Sequence, residues 1–157
     1  MRNGVLIGLS LIVTLFSTSK ACAAETSIAI VVHPSVAESN ITMEQLRRLF
    51  FAEQQFWADK TRVTLLLRAP VAADRDLILD RIYHMDENEF RRYWIAKIFR
   101  AEVPSGPKVV FSSNMALELV TAIPGSITFL PTSELDSRVK VLSIDGFLPH
   151  DSEYPLR

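Results

Sequence analysis

The sequence predicts an α/β protein with a mixed, mostly parallel sheet of five strands flanked by helices. Two patterns predict this fold class. Short apolar stretches typical of strands recur along the chain, and stretches with apolar residues one helical turn apart lie between them. Strands that alternate with helices usually lie in one sheet, with the helices packed on its faces. The chain of 157 residues is long enough to bury one such core.

The first strand and the first helix have the clearest signals. Residues 27–33 are apolar at nearly every position, which is typical of a strand covered on both faces. Thr42, followed three residues later by Gln45, is the pattern of a capping box at the start of a helix. The buried face of this helix is predicted to comprise Leu46, Leu49 and Phe50.

The later elements are predicted from similar signals. Ile78 and Ile82 lie one turn apart in a predicted helix, Asp86 is placed to cap the next helix, and Pro124-Gly125 ends another. The predicted strands are 62–68, 108–113, 126–130 and 138–144, and the predicted helices are 74–84, 87–100 and 114–122. The apolar stripe of the helix over 87–100 is predicted to be Phe90, Trp94 and Ile98. The tail after 144 has no period and predicts an extended loop.

Residues 1–24 are typical of a secretory signal peptide. Arg2 gives a positive start, an apolar run follows, and small residues allow cleavage after Ala23 or Ala24. The sequence therefore predicts a secreted, periplasmic protein whose mature domain is 25–157.

Cys22 is the only cysteine, and either cleavage would remove it. The mature domain is then predicted to fold without a disulfide. Lipidation at Cys22 is disfavoured, because Ser19 stands where such sites usually have leucine and because Lys20 is close by.

Composition and motifs argue against several functional classes. The chain has 17 basic and 18 acidic residues, with no basic run that would indicate nucleic acid or an anionic lipid as a partner. Its five glycines form no nucleotide-binding loop, and no serine lies in a Gly-x-Ser-x-Gly motif. His33, His84 and His150 lack the spacing of metal ligands. We therefore predict no cofactor, no metal, no catalytic residue and no nucleic-acid partner.

Polar side chains follow three predicted strands at the points where they end. Ser35 follows the first strand, Arg68 ends the second, and Ser112, Ser113 and Asn114 follow the third. Ligands of open α/β sheets lie beyond the carboxyl ends of the strands, so these five are the candidate ligand-binding residues. Each also has a structural interpretation: Ser35 as a turn residue, Ser113 or Asn114 as a helix cap, and Arg68 as a surface or ion-pair residue.

Four longer stretches carry a resemblance to a known family. They are ITMEQLRRLFFAEQQFWADKTRVTLLLR, FRRYWIAKIFRAEVPSGPK, ALELVTAIPGSITFLP and VKVLSIDGFLPHDSEYPLR. Their order resembles the periplasmic phosphate-binding proteins of ABC transporters, and more closely a short, single-lobe group of phosphate-binding-like proteins. The resemblance implies one lobe of the type 2 periplasmic-binding-protein fold. It also implies non-enzymatic solute binding, with a small anion such as phosphate as ligand and an ABC permease as partner.

The loop after the second strand departs from the family's anion-binding motif. In the family this loop reads Arg-Ser-Asp-x-Ser-Gly-Thr and holds the phosphate oxygens. Here 68–74 reads Arg-Ala-Pro-Val-Ala-Ala-Asp, so only Arg68 matches. Asp74 places a negative charge where the resemblance implies a threonine, and it is expected to pair with Arg68 or to cap the helix.

The resemblance thus implies a degenerate anion site, with phosphate binding weak or lost. The alternative is an interaction or sensing module that has lost phosphate binding and that has another periplasmic protein as its partner.

Export from a bacterial host tests the N-terminal prediction. We expect the intact mass of the exported, soluble protein to correspond to a start at Ala24 or Glu25, because the apolar run is followed by Ala-x-Ala patterns. A mass that retains Arg2, or that includes a diacylglyceryl group on Cys22, would contradict it.

Overall fold

The computed structural model describes residues 27–70 and 72–157, and the predicted signal peptide lies outside them. In this part the chain forms a mixed five-stranded sheet with helices on both faces, and a separate two-stranded sheet. The strands are β1 (Ile28–Val32), β2 (Asn40–Ile41), β3 (Thr64–Arg68), β4 (Lys108–Val110), β5 (Ser126–Pro131), β6 (Lys140–Val141) and β7 (Ser143–Ile144). The helices are α1 (Met43–Phe50), α2 (Ala73–Ile78), α3 (Glu87–Phe99) and α4 (Ser113–Ala122).

The five-stranded sheet has the order β4-β3-β5-β1-β6. β3 pairs in parallel with both β4 and β5, whereas β1 runs antiparallel to β5 and to β6. Four strands therefore point one way and β1 points the other way, which confirms the predicted mixed, mostly parallel sheet. We call the edge where β3, β4 and β5 end the carboxyl edge, and the opposite edge the amino edge.

Both helix starts with local signals are confirmed. The Thr42 hydroxyl accepts a hydrogen bond from the Gln45 amide at 3.1 Å, and Gln45 Oε1 accepts one from the Thr42 amide at 2.8 Å. Asp86 and Glu89 form the same reciprocal pair at the start of α3, at 2.7 and 3.0 Å. Each capping box satisfies two amides that lack partners within the helix.

The strand predicted over 138–144 is two strands that belong to different sheets. β6 pairs with β1, and β7 pairs in parallel with β2. Between them the buried Leu142 still donates its amide to the Ile30 carbonyl at 2.9 Å. The chain changes sheets just after this bond, so its continuous apolar pattern does not correspond to one continuous strand.

The helix predicted over 74–84 is α2 followed by a π-helical turn over Leu79–Tyr83. The wider turn buries Ile82 and Tyr83 together, and the Tyr83 hydroxyl donates to the Phe50 carbonyl at 2.6 Å. Burial raises the pKa of Tyr83 well above its usual value, so the phenol stays a donor at neutral pH.

The buried stripe of α3 differs from the predicted one. Phe90 and Trp94 are buried as predicted, but Ile98 is 42% exposed and Lys97 takes the inner position with 7% exposure. The Lys97 ammonium lies 5.5 Å from the Tyr93 ring centroid and 3.5 Å from a Glu102 carboxylate oxygen. The long lysine stem can pack inward while its charge reaches a partner, and this turns Ile98 towards solvent.

The tail packs on the core through two side chains. Tyr154 is 3% exposed and Leu156 is fully buried, while the Leu156 carbonyl accepts a hydrogen bond from the Ile28 amide at 2.9 Å. The tail is thus irregular, as predicted, but it forms part of the packed structure. Within the described residues, no helix has both the length and the apolar character needed to cross a membrane.

At Gly125, the turn between α4 and β5 packs closely against the loop before β3. Its φ is +73°, and a Cβ there would lie 2.4 Å from the Arg62 carbonyl oxygen. Its carbonyl also accepts a hydrogen bond from the buried Trp57 indole at 2.8 Å. We expect Gly125→Ala to lower the free energy of unfolding by about 3 kcal/mol, from the left-handed conformation and the clash together.

Gly146→Ala is the matched control. Gly146 also has a positive φ, of +88°, but nothing lies within 4 Å of its Cβ position. Denaturant unfolding should show a loss of only about 1 kcal/mol for this variant. Equal losses for the two variants would contradict the packing argument.

Candidate functional site

The carboxyl edge brings together four of the five candidate residues. Arg68 ends β3 and is aligned with Val110 at the end of β4, and the Ala69 amide donates to the Val110 carbonyl at 2.8 Å. Ser112 follows two residues later and opens α4, which starts at Ser113. The parallel pairing of β3 and β4 therefore places Arg68 and the start of α4 at the same edge.

Ser112 and Asn114, at the start of α4, each have a hydrogen bond to a residue of that helix. Ser112 Oγ accepts the Met115 amide at 3.1 Å and so acts as the N-cap. Asn114 Nδ2 donates to Glu118 Oε1 at 3.0 Å. The N-cap is therefore Ser112, and the prediction that Ser113 or Asn114 caps this helix is wrong.

The fifth candidate, Ser35, lies at the opposite edge. β1 runs antiparallel to β5, so its last residue, Val32, is aligned with Ile127 near the start of β5. Ser35 therefore follows at the amino edge, where its Oγ lies 2.6 Å from His33 Nδ1. The expectation that three strand ends converge on one crevice is wrong for this residue, because it assumed that β1 is parallel to its neighbours.

Arg68 forms a nearly buried ion pair with Asp74. Arg68 Nε lies 3.1 Å from Asp74 Oδ2, and the side chains are 15% and 7% exposed. Neither this oxygen nor Arg68 Nη1 has an aligned hydrogen bond, so the contact is mainly Coulombic. The other Asp74 oxygen accepts the Arg75 amide at 3.0 Å. Of the two roles expected for Asp74, pairing with Arg68 is confirmed, while the N-cap position of α2 is occupied by Ala72.

Arg75, which the sequence analysis did not single out, organises this edge. Its guanidinium makes two bonds to Glu87, at 2.9 and 3.0 Å, and one to the Arg68 carbonyl at 2.6 Å. It also lies 4.8 Å from the centroid of the Phe90 ring. A signal for this residue was available, because Arg75 precedes Ile78 by three residues on the apolar stripe, where a charged residue needs buried partners.

Within the described residues, the two tryptophans and the groups that could bind a metal do not form a second site. Trp57 and Trp94 are 3% and 6% exposed, so protein covers most of each residue, and only Trp94 lines the cleft described below. Among residues 27–70 and 72–157, no group of three histidine, cysteine or acidic residues could hold a metal ion. A cleft of about 180 Å³ opens between the loop before β3 and the α3–β4 loop, and Arg68 does not line it.

Comparison with solved structures relates this fold to phosphate-binding proteins. An ABC-type phosphate transport receptor from Vibrio cholerae matches with 19% identity and a TM-score of 0.64, over 79% of this chain and 48% of that chain. PstS from Borrelia burgdorferi matches with 17% identity and a TM-score of 0.66, over 83% and 54%. A putative phosphate ABC transporter substrate-binding protein from Clostridium perfringens, with bound phosphate, matches with 15% identity and a TM-score of 0.65, over 79% and 47%.

The chain therefore spans about half the length of these proteins. At this level of identity the likeness establishes a shared fold, and it confirms the single-lobe architecture that the resemblance implied. No protein-family model and no curated protein matches the sequence.

Arg75→Met tests whether this guanidinium holds the carboxyl edge together. The change leaves Glu87 without its cation and the Arg68 carbonyl without its donor. We expect a loss of about 2 kcal/mol in the free energy of unfolding, mainly because the Arg68 carbonyl loses its donor, since Glu87 is 36% exposed and can be hydrated.

Arg138→Met is the control. Arg138 is 54% exposed and pairs with Asp136 in a surface loop, so its replacement should cost less than about 1 kcal/mol. Chemical denaturation of the two variants checks the difference. A similar, small effect for both would show that the Arg75 contacts contribute little to stability.

Proposed function

We propose that the protein is a secreted, non-enzymatic relative of phosphate-binding solute receptors, in which an internal ion pair has replaced the anion site. The observation that carries this proposal is the contact between Arg68 and Asp74 at 3.1 Å. A free anion would have to compete with a carboxylate that is already in place and covered by protein. Phosphate binding is therefore weak or lost.

The surroundings of Arg68 support the proposal. Ala72 and Ala73 have no hydroxyl groups to donate to an anion. Asp74 adds a negative charge that would repel phosphate. The missing hydrogen-bond donors and the added negative charge both lower the affinity for phosphate.

The proposed protein partner depends on whether the lobe still binds a small anion. If a small anion still binds, the partner is an ABC permease, as for a transport receptor. If none binds, the lobe is a periplasmic interaction or sensing module that recognises another periplasmic protein.

Asp74→Thr tests the proposal. The change removes the competing carboxylate and supplies one hydroxyl beside Arg68, so phosphate affinity should rise about tenfold or more. Adding Ala72→Ser and Ala73→Gly should raise it further, and Arg68→Ala in the triple variant should abolish the gain. Titration calorimetry with phosphate at low salt measures each step.

Asp76→Thr is the matched control, because Asp76 is exposed and lies in the first turn of the same helix. It makes the same change of charge without touching the ion pair, so phosphate affinity should stay at the parent level. A dissociation constant in the low micromolar range for the parent protein would show that the site is not degenerate. A folded triple variant that binds no better than the parent would show that Arg68 does not face a latent anion site, and the interaction module would then be favoured.

A further inference from the structure

Exposed apolar side chains are concentrated on one part of the surface. Within the described residues, seven large apolar side chains are exposed, and five of them lie between 95 and 111. These five are Ile95, Ile98, Phe99, Val109 and Phe111. Phe99 is 90% exposed and Phe111 is 75% exposed, so both phenyl rings project into solvent. We call this surface the α3–β4 face.

The fold brings the end of α3 close to the loop before β4, and Phe111 directly follows β4. The α3–β4 loop turns back at Gly106, where a Cβ would lie 4.0 Å from Ile98 Cδ1. Val110 is buried in the cluster that includes α4, so its neighbour Val109 points to the opposite face of the sheet, the face that α3 covers. β4 is also the last strand of the sheet and pairs only with β3.

Exposed basic residues lie among these apolar residues along the chain. Of the five basic residues in 90–112, four are exposed, namely Arg91, Arg92, Arg100 and Lys108, and the same stretch has one acidic residue, although the whole chain has a formal net charge of −1. The single acid, Glu102, contacts both Arg100 and Lys97. In the part of the chain that the structure describes, Arg91, Arg92 and Lys108 form no ion pair. The sequence shows no longer basic run because apolar residues separate these cations, except for the adjacent Arg91 and Arg92.

We propose that the α3–β4 face binds the surface of an anionic membrane. Projecting phenyl rings can enter the boundary between headgroups and acyl chains, and the arginines and lysine around them then lie at the level of the lipid phosphates. The inference is independent of whether Arg68 binds an anion, because the two sites share no residue.

Charge and shape favour a bilayer over a second copy of the chain. Two copies that met through this face would bring like charges together, whereas anionic lipid neutralises them. Phe99 and Phe111 project instead of lining a recess, and a bilayer accepts projecting rings without a complementary pocket. The side chains that would enter the lipid are exposed in the folded protein, so binding requires no rearrangement.

Vesicle flotation tests the proposal. The protein is recovered from the periplasm of a bacterial host, and its intact mass is measured so that all variants share one N-terminus. Vesicles of phosphatidylglycerol and phosphatidylcholine in equal parts are compared with vesicles of phosphatidylcholine alone. We expect at least about tenfold stronger partitioning onto the anionic vesicles, and most of this difference should disappear at high salt.

Two double variants separate the apolar and ionic contributions. Phe99→Ser with Phe111→Ser, and Arg91→Gln with Arg92→Gln, should each weaken binding to the anionic vesicles by about tenfold or more. Thermal unfolding should be almost unchanged, since all four side chains are exposed.

The controls are a Leu148→Ser variant and an Arg48→Gln, Lys60→Gln double variant. They make similar changes at exposed positions outside the α3–β4 face, and they should bind like the parent. Equal partitioning onto both kinds of vesicle, or full binding by the phenylalanine variant, would overturn the proposal. A dimer in sedimentation equilibrium that the phenylalanine variant abolishes would assign this face to a second copy and would also overturn it.

Discussion

The carboxyl edge of this lobe depends on how one buried cation is neutralised. Arg75 is 4% exposed, and a guanidinium in that position must find acceptors for its hydrogen bonds. It finds them in Glu87 at the start of α3 and in the carbonyl of Arg68 at the end of β3. The Arg75 side chain therefore holds α2 against both α3 and β3. The same contacts fix the backbone of Arg68, and so place its own guanidinium beside Asp74.

Features set by neighbouring residues were predictable from the sequence. The two capping boxes each involve residues three positions apart, and both helices begin where the pattern places them. The pairing of Arg68 with Asp74 was one of two expected outcomes, since both residues lie on one short loop. The resemblance to a family supplied the single-lobe architecture, which periodicity alone could not have supplied.

Features set by distant pairing were not predictable. The direction of β1 is fixed by its pairing with β5, which is far away in the sequence. Because this pairing is antiparallel, Ser35 lies at the amino edge and not at the carboxyl edge. The inner face of α3 was ambiguous by one residue, because Lys97 and Ile98 both follow Trp94 at helical spacing. Lys97 takes the inner position because its charge reaches Glu102, and no pattern of apolar residues records such a contact.

The ends of the folded lobe lie side by side. The amide of Ile28, at the start of β1, is hydrogen-bonded to the carbonyl of Leu156, near the end of the tail. A folded unit whose chain enters and leaves at one place can be inserted into a loop of another protein with little disturbance to either. It can also be circularly permuted, with its ends joined and a new opening made in an exposed loop. The positions of its two ends therefore meet the geometric requirement for both kinds of rearrangement.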